Sequence, residues 1–184
     1  MDPIEAIHAR RSIRDYQARN VDRGLIEDIL WDAAQAPTAL NVDEPFVFVV
    51  IEGADRISEY GALALHYARE HRQPGPGNDW MDRPGFSVFF NAPLVVVICG
   101  SDDGHGQAIQ DCNRAGQNLM LSAHARGLGT CWVGSPMQWL RDPATRASLG
   151  VPERCDLFAA ITLGYPSGVA KGTSRARPKV VWKT

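Results

Sequence analysis

Three short apolar runs, broken only by Thr162 in the last, constrain this 184-residue chain more than any other feature. They are residues 46–51 (FVFVVI), 94–99 (LVVVIC) and 157–163 (LFAAITL). Each has the length of a strand, and none approaches the roughly 18 residues that a membrane-spanning helix needs. A continuous apolar run marks a buried strand, so residues 46–51 are predicted to form a central one. Helical periodicity fills the stretches between. Leu25, Ile26, Ile29, Leu30, Ala33 and Ala34 make one stripe, behind a cap at Asp22 and before a stop at Pro37. Residues 3–9 read as a short helix with Ile4 and Ile7 on one face. Asp55 can cap a helix reaching residue 70, and Asp142-Pro143 opens another.

Residues 107–127 read as a long helix whose recurring face is small as well as apolar: Ile109, Cys112, Gly116, Leu119, Met120, Ala123. Gly116 and Ala123 would let a partner helix approach closely, as in a dimer core. Residues 130–133 give a short strand or turn. Strands interleaved with helices place the chain in the α/β or α+β class. No repeat and no linker interrupts it, so residues 1–184 are expected to form one domain. The tail over 166–184 is basic and rich in Pro and Gly, and it ends in Val180-Val181-Trp182. That apolar tip needs somewhere to bury, and a sheet edge of another subunit would supply it.

Net charge is only −2, but its distribution is uneven. Residues 8–23 hold Arg10, Arg11, Arg14, Arg19 and Arg23 against Asp15 and Asp22. Residues 171–184 hold Lys171, Arg175, Arg177, Lys179 and Lys183 with no acid. The remainder is acidic. Two basic patches far apart in sequence could hold a compact anion if they meet in space. Nucleic acid is the other candidate, disfavoured because the acidic body would repel it. The N-terminus has no apolar core behind its positive charges and does not read as a signal peptide, which points to the cytoplasm.

Cys99, Cys112, Cys131 and Cys155 form no CxxC pair, and the histidines are scattered, so buried free thiols are expected and a metal site is not. GPG at 75–77 and GHG at 104–106 lack the strand–glycine–helix context of a dinucleotide fingerprint and read as turns. The loop over 73–85 carries Trp80 and Met81 in a polar setting. Such a loop either covers a site or is tethered by those two side chains.

Four motifs in order carry a family resemblance: RRSIRDY at 10–16, AAQAPTALN at 33–41 followed by EPFVFVV, GLGTCWVG at 127–134, and LGYP at 163–166 before the basic tail. Over nearly its whole length the chain resembles the nitroreductase family of flavoproteins. The resemblance implies an α+β fold with a mixed central sheet flanked by helices. It also implies a homodimer, two FMN molecules in the interface, and a domain-swapped arm (166–184) that crosses onto the partner.

By that resemblance, Arg10, Ser12 and Arg14 serve the FMN phosphate and ribityl chain, with Arg11 acting through its backbone. Arg175 and Arg177 close on the phosphate from the tail. Here the usual arginine position, two before a proline, is Ala176, flanked by arginines on both sides. Guanidinium forks suit such an anion. Pro37, Thr38, Ala39 and Asn41 match the segment that lines the flavin of the other chain. Cys131, Trp132, Val133 and Gly134 match the strand behind the ring, where a backbone N–H of Val133 or Gly134 faces N5. No catalytic side chain is implied, and Cys131 reads as a packed thiol.

The implied activity is hydride transfer from NAD(P)H to a nitroaromatic, quinone or similar acceptor, in ping-pong order at one shared site. Nucleic acid and membrane have no part in it. The alternatives are a non-catalytic flavin-binding or redox-sensing protein, and a specialised family activity such as flavin destructase, reductive dehalogenase or enone reductase. His66, Tyr67, His71, Trp80 and Phe86 are candidate residues on the substrate side.

Overall fold

A computed structural model describes residues 1–39, 44–72, 77–101, 106–170, 172 and 175–183. Its centre is a sheet of four strands, β1 (Phe46–Glu52), β2 (Leu94–Ser101), β3 (Gly129–Trp132) and β4 (Cys155–Gly164), in the order β1-β2-β4-β3. All three strand pairs are antiparallel, with Phe46 opposite Gly100, Leu94 opposite Leu163, and Trp132 opposite Ile161. A parallel bridge from Ser12 to Thr130 on the free side of β3 makes the sheet mixed. The architecture is α+β with a mixed sheet between helical layers, as the resemblance implied.

The apolar runs are explained by cover on both faces. Alternate residues of β2 point opposite ways. Leu94, Val96 and Ile98 join a core with α2 (Arg23–Ala34) and α4 (Gln107–Ala125), while Val95, Val97 and Cys99 join a second core beneath α3 (Ala54–Glu70) and α5 (Met137–Leu140). Residues 46–51 differ from expectation in one respect: β1 ends the strand order instead of lying inside it. Its side chains still serve both cores, Phe46, Phe48 and Val50 on one side and Val47, Val49 and Ile51 on the other. Continuous apolarity therefore reports covered faces, not a neighbour on each edge.

The caps follow local chemistry. Asp2 caps α1 (Pro3–Ala9), Asp22 caps α2, and Asp142 caps α6 (Pro143–Ser148) behind its proline. At α3 the cap position is Gly53, with φ of 100°, and Asp55 sits in the first turn instead.

The small face of α4 also departs from expectation. A Cβ at Gly116 would lie 2.5 Å from Trp132 Cζ3, and Ala123 is buried in the core shared with α2. The close neighbours are this chain's own sheet and helix. Trp80 and Met81 tether their loop: Met81 is buried in a 3-10 turn, Asp79–Asp82, and Trp80 packs on Phe86 with ring centres 5.4 Å apart. The Arg69 side chain donates to the Met81 carbonyl from Nε at 3.0 Å, and Arg72 pairs with Asp82 at 2.8 Å. All four cysteines are free and buried. Among the described residues no helix is long and apolar enough to cross a membrane, and no cluster could hold a metal ion.

Candidate functional site

The chain leaves α1 at Arg10 and runs extended along the edge of β3. Ile13 N–H donates to the Thr130 carbonyl at 2.9 Å. That approach requires a glycine opposite, since a Cβ at residue 129 would sit 2.5 Å from Ile13 Cγ1. The Tyr16 hydroxyl lies 2.8 Å from both the Ile13 carbonyl and Thr162 Oγ1, pinning the far end of the segment. Burial pushes the Tyr16 pKa well up, so the hydroxyl stays a neutral hydrogen-bonding group. Arg14 lies 5.6 Å from the ring centre of Phe90, whose backbone takes a left-handed φ of 56°.

The tail returns to this same place. Arg10, Arg11, Ser12 and Arg14 from one end of the chain, and Gly172, Arg175 and Arg177 from the other, line one cleft of about 590 Å³. A Cβ at Gly172 would overlap the Arg11 side chain as it stands, so the tail passes close against that arginine. None of the five arginines makes an ion pair among the described residues. Burial, then the neighbouring Arg175, then Arg11, pull the Arg10 pKa down. This is a concave site with converging guanidinium donors and no counter-charge, which is the donor set a phosphate monoester requires.

Pro37, Thr38 and Ala39 do not line the cleft of their own chain. They are tied to α4. Thr38 Oγ1 donates to Asp111 Oδ2 at 2.8 Å, Ala39 N–H donates to the same oxygen at 3.0 Å, and Arg114 holds Oδ1 at 2.5 Å. Asp111 is 2% exposed. Sequence reasoning missed it. The available signal was an acid standing beside Cys112 on the apolar side of the long helix. Asn41 lies outside the described residues.

At the end of β3, Cys131 is buried and its Sγ faces the Trp132 carbonyl at 3.5 Å. Burial pushes its thiol pKa up, against the opposing pull of Arg14, the Ser12 hydroxyl and Arg10, which fits a packed thiol and not a nucleophile. Of the two candidate backbone donors, Val133 is already engaged: its N–H donates to the Ala160 carbonyl at 2.8 Å. Gly134 is different. It is exposed, a Cβ there would meet nothing within 4 Å, and its N–H has no partner among the described residues.

Gly134 also borders a second cavity, of about 660 Å³, with Trp80, Met81 and Met137 among its lining residues. Of the five candidate substrate-side residues, only Trp80 lines it. Phe86 backs Trp80, Tyr67 and His71 stack on each other at 3.9 Å, and His66 pairs with Glu70 at 3.3 Å.

Comparison with known proteins matches residues 7–165 to the nitroreductase family. A protein of Methanothermobacter thermautotrophicus, provisionally named NADH dehydrogenase/NAD(P)H nitroreductase, is 31% identical over 91% of this chain and 78% of its own. The 5,6-dimethylbenzimidazole synthase of Rhodospirillum rubrum is 32% identical over 90% and 82%. Among solved structures, a nitroreductase with bound FMN from Bacteroides fragilis superposes with a TM-score of 0.85, at 23% identity and full coverage of both chains.

Proposed function

The chain belongs to the nitroreductase family, and from that premise we propose that it is an FMN-dependent oxidoreductase. It takes a hydride from NAD(P)H and passes reducing equivalents to a nitroaromatic, quinone or similar acceptor in ping-pong order. The observation that supports this reading is the meeting of Arg10, Arg11 and Arg14 with Arg175 and Arg177 in one cleft that contains no acid partner. The FMN bound in the Bacteroides fragilis structure and the NAD(P)H-linked name of the Methanothermobacter relative support FMN as the anion and NAD(P)H as the donor.

In this reading Arg10, Arg14, Arg175, Arg177 and Ser12 hold the cofactor's phosphate and ribityl chain, and Arg11 serves through its backbone, its guanidinium donating to the His8 and Arg10 carbonyls. The Gly134 N–H, without a partner among the described residues and beside open space, would serve N5 of the ring. When bound, FMN supplies two-electron hydride acceptance and release. The protein's part is to fix the ring, leave room beside Gly134, and keep Cys131 protonated and inert. For a nitro acceptor the first turnover balances with one proton: Ar–NO2, NAD(P)H and H+ give Ar–NO, NAD(P)+ and water. Pro37, Thr38, Ala39 and Asn41 serve the cleft of a second copy, and the tip of the arm beyond Pro178 reaches onto that copy, while Pro166, Gly172, Arg175 and Arg177 stay on their own chain. The exposed tip supports the arm's role, Trp182 being 85% exposed in the single chain.

Anaerobic stopped-flow absorbance of the FMN-loaded protein, mixed separately with NADH and NADPH, tests the reading. Rapid bleaching of the flavin band by either supports it and identifies the donor. A flavin that dithionite bleaches and neither nucleotide does would overturn it. The kinship with a dimethylbenzimidazole synthase favours, as a second reading, a specialised family activity within the same fold. That second outcome would select it.

A further inference from the structure

The second cavity has its own chemistry. Its apolar lining is Trp80, Met81 and Met137. Thioethers and an indole are favourable faces for an aromatic ring. Polar groups are few: the Asn78 and Gln138 amides, the Ser135 hydroxyl and one cation, Arg141. No acid lines it.

Arg141 is exposed at the cavity mouth and is anchored at two points. Its backbone N–H closes α5 by donating to the Met137 carbonyl at 3.1 Å, and its side-chain Nε donates to the Leu157 carbonyl of β4 at 3.1 Å. Nε is thereby used, and both terminal amino groups of the fork have no partner among the described residues. Arg146, its neighbour one helix on, differs: its guanidinium is consumed by Asp156 and by the Glu153 and Cys155 carbonyls. A planar fork with two free donors fits a carboxylate. A dianionic phosphate is served by several cations, as in the basic cleft, and not by one. The cavity also borders Gly134, the residue that the proposed function sets beside the flavin ring.

From these observations we propose that this cavity is the acceptor site, and that it selects planar aromatic carboxylates, with Arg141 holding the carboxylate and Trp80 the ring. The proposal rests on the flavin-dependent reading and names the substrate class of that same site.

The test is binding of benzoate and its neutral counterpart benzamide to the purified FMN-loaded protein, read by tryptophan fluorescence and by perturbation of the flavin band. Wild type is expected to prefer benzoate. Arg141→Gln is expected to weaken benzoate by roughly 10- to 100-fold, the worth of a charge-assisted contact, while leaving benzamide unchanged. Gln138→Glu, on an exposed position beside Arg141, is expected to weaken benzoate alone, and serves if Arg141→Gln fails to fold. With 4-nitrobenzoate and 4-nitrobenzamide as acceptors, the same selective loss should appear in kcat/KM. Equal affinity of wild type for benzoate and benzamide would overturn the proposal. So would an Arg141→Gln variant that loses NADPH affinity and keeps benzoate affinity, since the fork would then serve the nucleotide. Failure of the wild type to take up FMN or to be bleached by NAD(P)H sinks the premise instead, a separate result.

Discussion

Two polar clusters in this molecule stand in opposite electrostatic states. At Asp111, a buried carboxylate is answered by Arg114, the Thr38 hydroxyl and the Ala39 N–H, so every charge has a partner within the chain. In the basic cleft, Arg10, Arg11, Arg14, Arg175 and Arg177 converge with no acid among them. A satisfied polar cluster holds the fold together. An unsatisfied cluster of like charges costs stability, and it persists where a ligand supplies the missing charge.

The sharpest way to break the contrast is to remove cations from the cleft. Arg14→Ala/Arg177→Ala should weaken FMN binding by about 100-fold or more, the sum of two charge-assisted contacts. The melting temperature of the FMN-free protein should hold or rise, because self-repulsion falls. Fluorescence titration and thermal melts read the two effects. A parallel loss of apo stability would place these arginines with the structural cluster.

Asp111→Ala should do the reverse. We expect a loss of about 2–4 kcal/mol of unfolding free energy in denaturant titration, from stranded donors around a buried site. Gly129→Ala links the two regions. Its Cβ would strike Ile13, so about 1–3 kcal/mol of stability should go, with weakened FMN binding as the arginine segment lifts off β3.

The buried thiols set an alkaline limit. Burial pushes Cys99 and Cys112 up to about 12 from an ordinary 9.0. Below about pH 9 both states keep these protons, and their contribution is intact. Above it only the unfolded chain releases them, so stability should decline from about pH 9 toward 12, as denaturant midpoints across that range would show. Replacing Cys112 with alanine should flatten the decline. The smallest effect belongs to Gly134→Ala, which should change stability by under about 0.5 kcal/mol yet slow flavin reduction.

What was legible in the sequence was what local chemistry decides. The aspartate caps at Asp22 and Asp142 and all three apolar runs stand where their residues put them. Relations between elements were less legible. Apolarity gave β1 its covered faces but not its place at the end of the order. The small face of α4 announced a close neighbour without saying that it is Trp132. Motif matching reached the cleft residues, because charge clustering survives in a linear sequence. It did not reach Asp111 or Arg141, because a lone charge on a helix looks the same whether it is solvated or set into a site. The use of Val133 N–H by Ala160 belongs to strand register, which no residue type encodes.

The two cavities share no lining residue, and they hang from different parts of the framework. The arginine cleft is built on the β3 edge and the tail, whereas Trp80 and Met81 are suspended from the end of α3 through Arg69 and Arg72. Drift in residues 77–82 can therefore recast one chamber while the other keeps its shape. A lineage carrying this scaffold can change diet without relearning how to hold its cofactor, and a mutagenesis library confined to that short stretch would retrace such a history at the bench.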